Sequence, residues 1–180
     1  VRFRMTDGSE LRYRDVRQFG TMHLFGADED DLQLEPLRKL GVEPLSSQFT
    51  VQELYRLLRN KTTKIKSFLL NQSYVCGLGN IYVDEALFRA GVHPERAAGS
   101  LRQRETEALH TAIVSTLQEA VECGGTSVKS YVNGQGEMGM FQQRLNVYGK
   151  ADEPCPGCGQ AIMRTVVGGR GTHYCSGCQS

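Results

Sequence analysis

The stretch PCPGCGQAIMRTVVGGRGTHYCSGCQS, residues 154–180, holds two C-x-x-C pairs, Cys155/Cys158 and Cys175/Cys178, with sixteen residues between them. Each C-x-x-C turn aims two sulfurs at one point, and four thiolates meet the tetrahedral preference of a zinc ion. Protein then fills all four positions, so the metal is structural. Between the pairs, AIMRTVVGGRGTHY reads as strand, glycine-rich tip and strand. So small a hairpin has almost no core, and the ion takes the place of one. A plain folding staple accounts for the cysteines. It does not account for Arg170, set between Gly169 and Gly171 at the expected tip. A guanidinium presented there can meet a ligand closely, and its donor fork matches phosphate. A merely solvated arginine is the competing reading.

Bulk properties bound the rest. The chain has 180 residues and a formal net charge of +1, so charge totals do not mark a nucleic-acid binder. No stretch reads as a signal peptide, and no apolar run approaches the ~18 residues of a membrane span. Cys76 and Cys123 stand singly in helical-looking sequence. Paired C-x-x-C motifs in such a chain favour zinc in a reducing cytoplasm over three disulfides.

Working upstream, residues 36–125 carry helical periodicity. TVQELYRLLRN offers Thr50 as N-cap and places Val51, Leu54, Tyr55, Leu57 and Leu58 on one face. The clearest helix runs from Leu101 to Cys123, with Leu109, Ala112, Ile113, Thr116, Leu117, Ala120 and Val121 as its apolar side, and stops at Gly124–Gly125. KIKSFLLNQ and NIYVDEALFRAG are two shorter helices joined by SYVCGLG. Gly77, Gly79 and Asn80 make a tight turn into a helix N-terminus, where unpaired N–H groups can face an anion. Alternatively, Asn80 caps its own helix. Arg56, Arg59, Lys61, Lys64 and Lys66 precede it with no acidic residue from 56 to 66. They either flank that anion site or form a solvated face.

At the other end, VRFRMT and ELRYRDV alternate about a DGS turn, a β-hairpin pattern, and ADEDD at 27–31 reads as a solvated linker. In RDVRQFGTM, Arg17 and Phe19 are in phase near a strand end. An exposed Phe beside an Arg can wedge into a base stack while the Arg bonds an orphaned base; a core Phe and a solvated Arg is the plainer reading.

Taken in order, DVRQFGTMHL (15–24), NQSYVCGLGNIYVDEALFRAGVHP (71–94), GGTSVKSYVNGQGEMGMFQ (124–142), LNVYGK (145–150) and the terminal CPGCG…GGRGTHYCSGCQ resemble the motifs of the formamidopyrimidine-DNA glycosylases. The resemblance covers essentially the whole chain and implies an α+β architecture. Residues 1–34 would be part of a β-sandwich with a linker, 35–150 a helix–two-turn–helix domain with a lesion-covering loop, and 151–180 a four-cysteine zinc ribbon. It implies a bacterial, cytoplasmic, monomeric enzyme of base-excision repair. Its partner would be double-stranded DNA bearing oxidised bases or abasic sites, excised and nicked by β,δ-elimination.

The resemblance also assigns roles. Asn80, Tyr148, Lys61, Lys66 and Arg170 would contact the DNA backbone, with Arg170 also helping elimination. Arg17 would pair with the base left behind by flipping, and Phe19 would be the wedge beside it. The loop containing Val132, Gly134, Gln135, Gly136, Glu137, Met138 and Gly139 would cover a flipped 8-oxoguanine. The family's nucleophile is an N-terminal proline followed by glutamate, whereas this sequence opens VRFRMT. The expectation is therefore a DNA-binding piece of a longer chain, inactive alone. Two alternatives stand beside it: an endonuclease VIII-type enzyme for oxidised pyrimidines, and a non-catalytic zinc module for damaged DNA.

Overall fold

The computed structural model describes residues 1–15, 18–24, 26, 35–126 and 139–180. They form two compact units, Val1–Arg38 and Lys39–Ser180. In the first, β1 (Arg2–Arg4) and β2 (Glu10–Arg12) pair antiparallel, with Phe3 opposite Leu11. The DGS turn is closed by Asp7, whose carboxylate accepts from the Ser9 backbone N–H at 2.9 Å and its hydroxyl at 2.7 Å. Gly8 takes the left-handed backbone that such a turn needs. The expected hairpin is present, yet its apolar residues are all exposed, Leu11 to 61%. A short helix, α1 (Glu35–Arg38), ends this unit.

Among its described residues the second unit is built on the α-helices α2 (Val51–Leu58), α3 (Ile65–Leu69), α4 (Asn80–Arg89) and α5 (Gln103–Glu122). Thr50 caps α2 as expected, its hydroxyl accepting from the Glu53 N–H at 3.1 Å. Leu54 and Leu58 point into the core, but Tyr55 does not and is half exposed. The long helix α5 starts later than the apolar pattern suggested, because Glu105 reaches back to the Arg102 N–H at 2.7 Å and fixes the first turn there. It ends where expected: the Gly125 N–H returns to the Ala120 carbonyl at 2.7 Å. Val121 is an exception to the apolar face, being 69% exposed. Ile65, Phe68, Leu69, Val83, Leu87, Leu109 and Ile113 form the centre of the helical core, each at 0% exposure. Burying a side chain of this size contributes about 1.5–3 kcal/mol, which is what holds so short a helix as α3 in place.

Next comes an antiparallel hairpin, β3 (Met163–Val167) and β4 (Arg170–Tyr174). Val167 faces Arg170, so the loop is the two residues Gly168 and Gly169, both at positive φ (57° and 75°). Two-residue hairpin loops of this hand match the twist of the strands. Arg170 is therefore the first residue of the return strand rather than the tip itself. Gly168 has a second reason to lack a side chain: a Cβ there would sit 2.6 Å from the Ser67 hydroxyl of α3. The hairpin's turn is thus seated on the helical core.

Candidate functional site

The four sulfurs of Cys155, Cys158, Cys175 and Cys178 lie within 4.8 Å of one another. Cys155 and Cys178 are 3.8 Å apart, and Cys158 and Cys175 3.4 Å, far beyond a sulfur–sulfur bond. A tetrahedral zinc thiolate site with bonds of ~2.3 Å sets its sulfurs ~3.8 Å apart, so the donor set fits the ion in kind, number and spacing. These cysteines make the chain's structural zinc site. Ile162, Val147 and the half-buried Phe88 pack beside it.

Seating of the hairpin on the helices is polar and buried. Gly171, directly after Arg170, offers its carbonyl to two donors: the Asn80 side-chain amide and the Lys66 ammonium, each at 2.9 Å. Lys66 is itself paired with Asp84 at 2.6 Å, both side chains fully buried. The second Asp84 oxygen accepts the His173 backbone N–H at 2.9 Å. Burial pushes the Asp84 carboxyl up to about 6 even with the ammonium beside it, and burial pushes Lys66 down. Arg170 projects from this seat and is exposed. Next to it, α4 has Gly79 as its N-cap and no side chain capping it, so Asn80 is not its own helix's cap. The amide faces the hairpin instead.

One residue along α4, Glu85 is wholly buried and serves the segment 145–150. Its carboxylate accepts the backbone N–H groups of Asn146, Val147 and Tyr148 at 2.8–2.9 Å and the Asn146 amide at 2.9 Å. Tyr148 is held half buried, its ring edge-on to His173 with centroids 5.1 Å apart. The geometry brings Arg170, Asn80 and Tyr148 around the junction of β4 and α4.

Other sequence expectations divide. Lys66 cannot meet a DNA backbone as a surface cation, because it is at 0% exposure and committed to Asp84 and Gly171. Three other members of the basic stretch have neighbours of their own. Arg56 bonds Glu53, Lys64 pairs with Glu95, and Lys61 lies 4.5 Å over the Tyr74 ring. The partners stand outside the 56–66 window, which hid them. Phe19 is 81% exposed and is not a core residue of its unit. Arg17 and the loop residues Val132, Gly134, Gln135, Gly136, Glu137 and Met138 lie outside the described residues. Gly139 is described and sits tightly on the backbone of Gly125, where a Cβ would come within 2.3 Å. Sequence reasoning missed Asp84 and Glu85. The available signal was two adjacent acids inside apolar VDEALF, with Asp84 one turn from Asn80 on the same helix face.

Comparison with known proteins places this geometry. The helix–two-turn–helix (H2TH) domain of the formamidopyrimidine-DNA glycosylases matches residues 40–132, and the zinc finger found in these enzymes and in IleRS matches 152–180. The chain belongs to the formamidopyrimidine-DNA glycosylase family. It is 64% identical to the formamidopyrimidine-DNA glycosylase of Brevibacillus brevis over 99% of its length and 56% identical to that of Bacillus subtilis over all of it. These cover 64% and 65% of the relatives, so the chain spans somewhat under two thirds of their length. Among solved structures, MutM (Fpg) of Thermus thermophilus superposes with a TM-score of 0.88 at 44% identity, over 96% of this chain and 65% of that one. The Lactococcus lactis Fpg bound to abasic-site DNA gives 0.73 at 43% identity, over 79% of this chain and 52% of its own. The family fold expected from the motifs is the fold found. No described helix is long and apolar enough to cross a membrane.

Proposed function

We propose that this chain is the DNA-holding part of a glycosylase/AP lyase that flips out and excises oxidised purines, 8-oxoguanine and formamidopyrimidines, and nicks the strand by β,δ-elimination. The observation that carries the reading is the Arg170 seat: an exposed guanidinium on a zinc-stapled strand, fixed beside a helix N-terminus that no side chain caps. Both groups suit a phosphate, one by charge and fork geometry and the other by free N–H groups. Family membership supports the substrate class, and so do the Lactococcus lactis relatives in complex with Fapy-dG DNA and abasic-site DNA.

In this reading Arg170, Asn80 and Tyr148 hold phosphates around the lesion, and Arg170 assists elimination. Lys61 contributes charge nearby. Phe19 fills the gap left by the flipped base, with Arg17 pairing to the base opposite. Residues 132–139 cover the lesion. Zinc supplies no chemistry to the reaction and keeps β3 and β4 together. The chain is taken as a monomer on DNA, inactive alone.

The direct test is binding of the zinc-loaded chain to a duplex carrying an abasic-site analogue, followed by fluorescence anisotropy across a salt series. Arg170→Ala is expected to weaken binding for any flanking sequence and to lower the salt slope by about one. Unchanged affinity and slope would remove the phosphate role. Borohydride trapping on an 8-oxoguanine duplex is expected to give no adduct at this chain's mass; an adduct would move the nucleophile into it.

A further inference from the structure

In the β3–β4 register, Val167 and Arg170 close the two-residue loop, so the backbone groups of Gly171 and His173 point away from β3. That makes them the free edge of a two-stranded sheet, and a free edge normally needs a third strand, solvent or a cover. Here side chains supply the pairing. Lys66 and Asn80 donate to the Gly171 carbonyl, and Asp84 accepts from the His173 N–H. Asn80 and Asp84, one helical turn apart on α4, match two successive groups of the strand edge. Lys66 enters from α3 and ties the two together through its pair with Asp84.

We propose that Asp84 is a positioning residue for Arg170. By holding Lys66 and the His173 amide, it fixes the Gly171 peptide, and the Gly171 peptide sets where the Arg170 side chain emerges. The inference rests on the phosphate-binding reading of Arg170. A buried ion pair is a poor stabiliser, since desolvating two charges offsets most of their attraction, and apolar replacement is often neutral. Its usefulness lies in allowing one geometry where apolar packing allows several. Gly171 has no side chain that packing could grip, so hydrogen bonds to its carbonyl are the means left to locate it. Burial is the main cause that depresses Lys66, and the Arg170 charge adds to it, which places the pair within electrostatic reach of the side chain it positions.

The test is a double-mutant cycle on the zinc-loaded full chain, with affinity for a duplex carrying a tetrahydrofuran abasic-site analogue as the readout. Arg170→Ala is expected to cost about tenfold, the worth of one charge-assisted phosphate contact. Asp84→Asn is expected to weaken binding in the wild-type background and to cost less than about twofold in the Arg170→Ala background, because its effect passes through Arg170. Zinc content should be unchanged. Losses that multiply, or an Asp84→Asn variant that binds like wild type, would overturn the positioning role and leave the phosphate reading standing. An Arg170→Ala variant that binds like wild type would overturn both. Should Asp84→Asn fail to fold, Lys66→Met/Asp84→Leu goes through the same cycle. It removes their bonds to the strand edge without stranding a charge, and the same two outcomes decide.

Discussion

The described residues carry two antiparallel hairpins of similar size and opposite condition. In β1–β2 the cross-strand pair Phe3 and Leu11 is exposed, and the turn is closed by Asp7 and its own backbone. In β3–β4 the strand ends are tied by four cysteines, the turn is pressed on Ser67, and the outer edge is bonded to Lys66, Asn80 and Asp84. Two strands by themselves are marginal in water. The contrast shows that the second hairpin owes its place to the metal and to distant polar side chains, and little to its own strand residues, of which Met163, Arg164, Val166 and Arg170 are exposed.

The sharpest way to break the contrast is Cys175→Ser. Loss of one thiolate is expected to abolish zinc binding and to open β3–β4, leaving helical circular dichroism and β1–β2 intact. Zinc analysis and amide exchange along residues 163–174 check it. Retained protection without zinc would mean that the polar seat alone suffices.

Lys66→Ala comes next. It strands Asp84 in a dry site and is expected to cost about 3 kcal/mol at neutral pH, read by urea unfolding. The pH dependence has a definite sign. Asp84 already has a folded-state value raised to about 6 from 3.8, and removing the ammonium raises it further. A carboxyl raised on folding destabilises at every pH above its unfolded value, and that cost shrinks once pH falls below the folded value and is gone at the unfolded one. The deficit should therefore shrink on going from pH 7 to pH 5. A deficit constant across that range would show that the lost alkyl packing, rather than the charge, mattered.

A smaller effect is expected at Arg96. Its guanidinium holds Glu105 down at about 2, and such a carboxylate adds stability above 4.5 that is lost as pH falls towards 2. Arg96→Ala should cost about 1 kcal/mol at pH 7 after solvent screening, and less near pH 2, where only its bonds to the Ser100 and Ser180 carbonyls remain to be lost. The smallest effect is Leu11→Ser. At 61% exposure it should change stability by less than about 0.5 kcal/mol in a thermal melt. A larger change would mean that the β1–β2 face is covered in solution.

What could be read in advance followed from local rules. The C-x-x-C pairs, the Thr50 cap, the glycine stop after α5 and the DGS hairpin are each set by residues within a few positions of one another. The polar seat was not legible for the opposite reason. Lys66 looked like part of a basic run because Asp84 lies eighteen residues on and Gly171 more than a hundred. Asn80 looked like a cap because only the fold reveals a strand edge opposite it. The role of Glu85 was out of reach for the same reason, since its four donors come from 146–148. Exposure of Tyr55 and Val121 was missed because periodicity gives a face without saying how wide the neighbour covering it is.

The separations in the seat also bear on the order of assembly. The cysteine loop closes over 23 residues, whereas the bonds from Asn80 and Lys66 to Gly171 close loops of 91 and 105. Closure entropy grows with loop length, and contacts so far apart form late. The metal-bound hairpin is therefore expected to exist as a folded piece before it docks, and Arg170 acquires its final direction in the last step. Pulsed hydrogen exchange during refolding should protect the Thr172 amide, inside β3–β4, before the His173 amide that Asp84 receives.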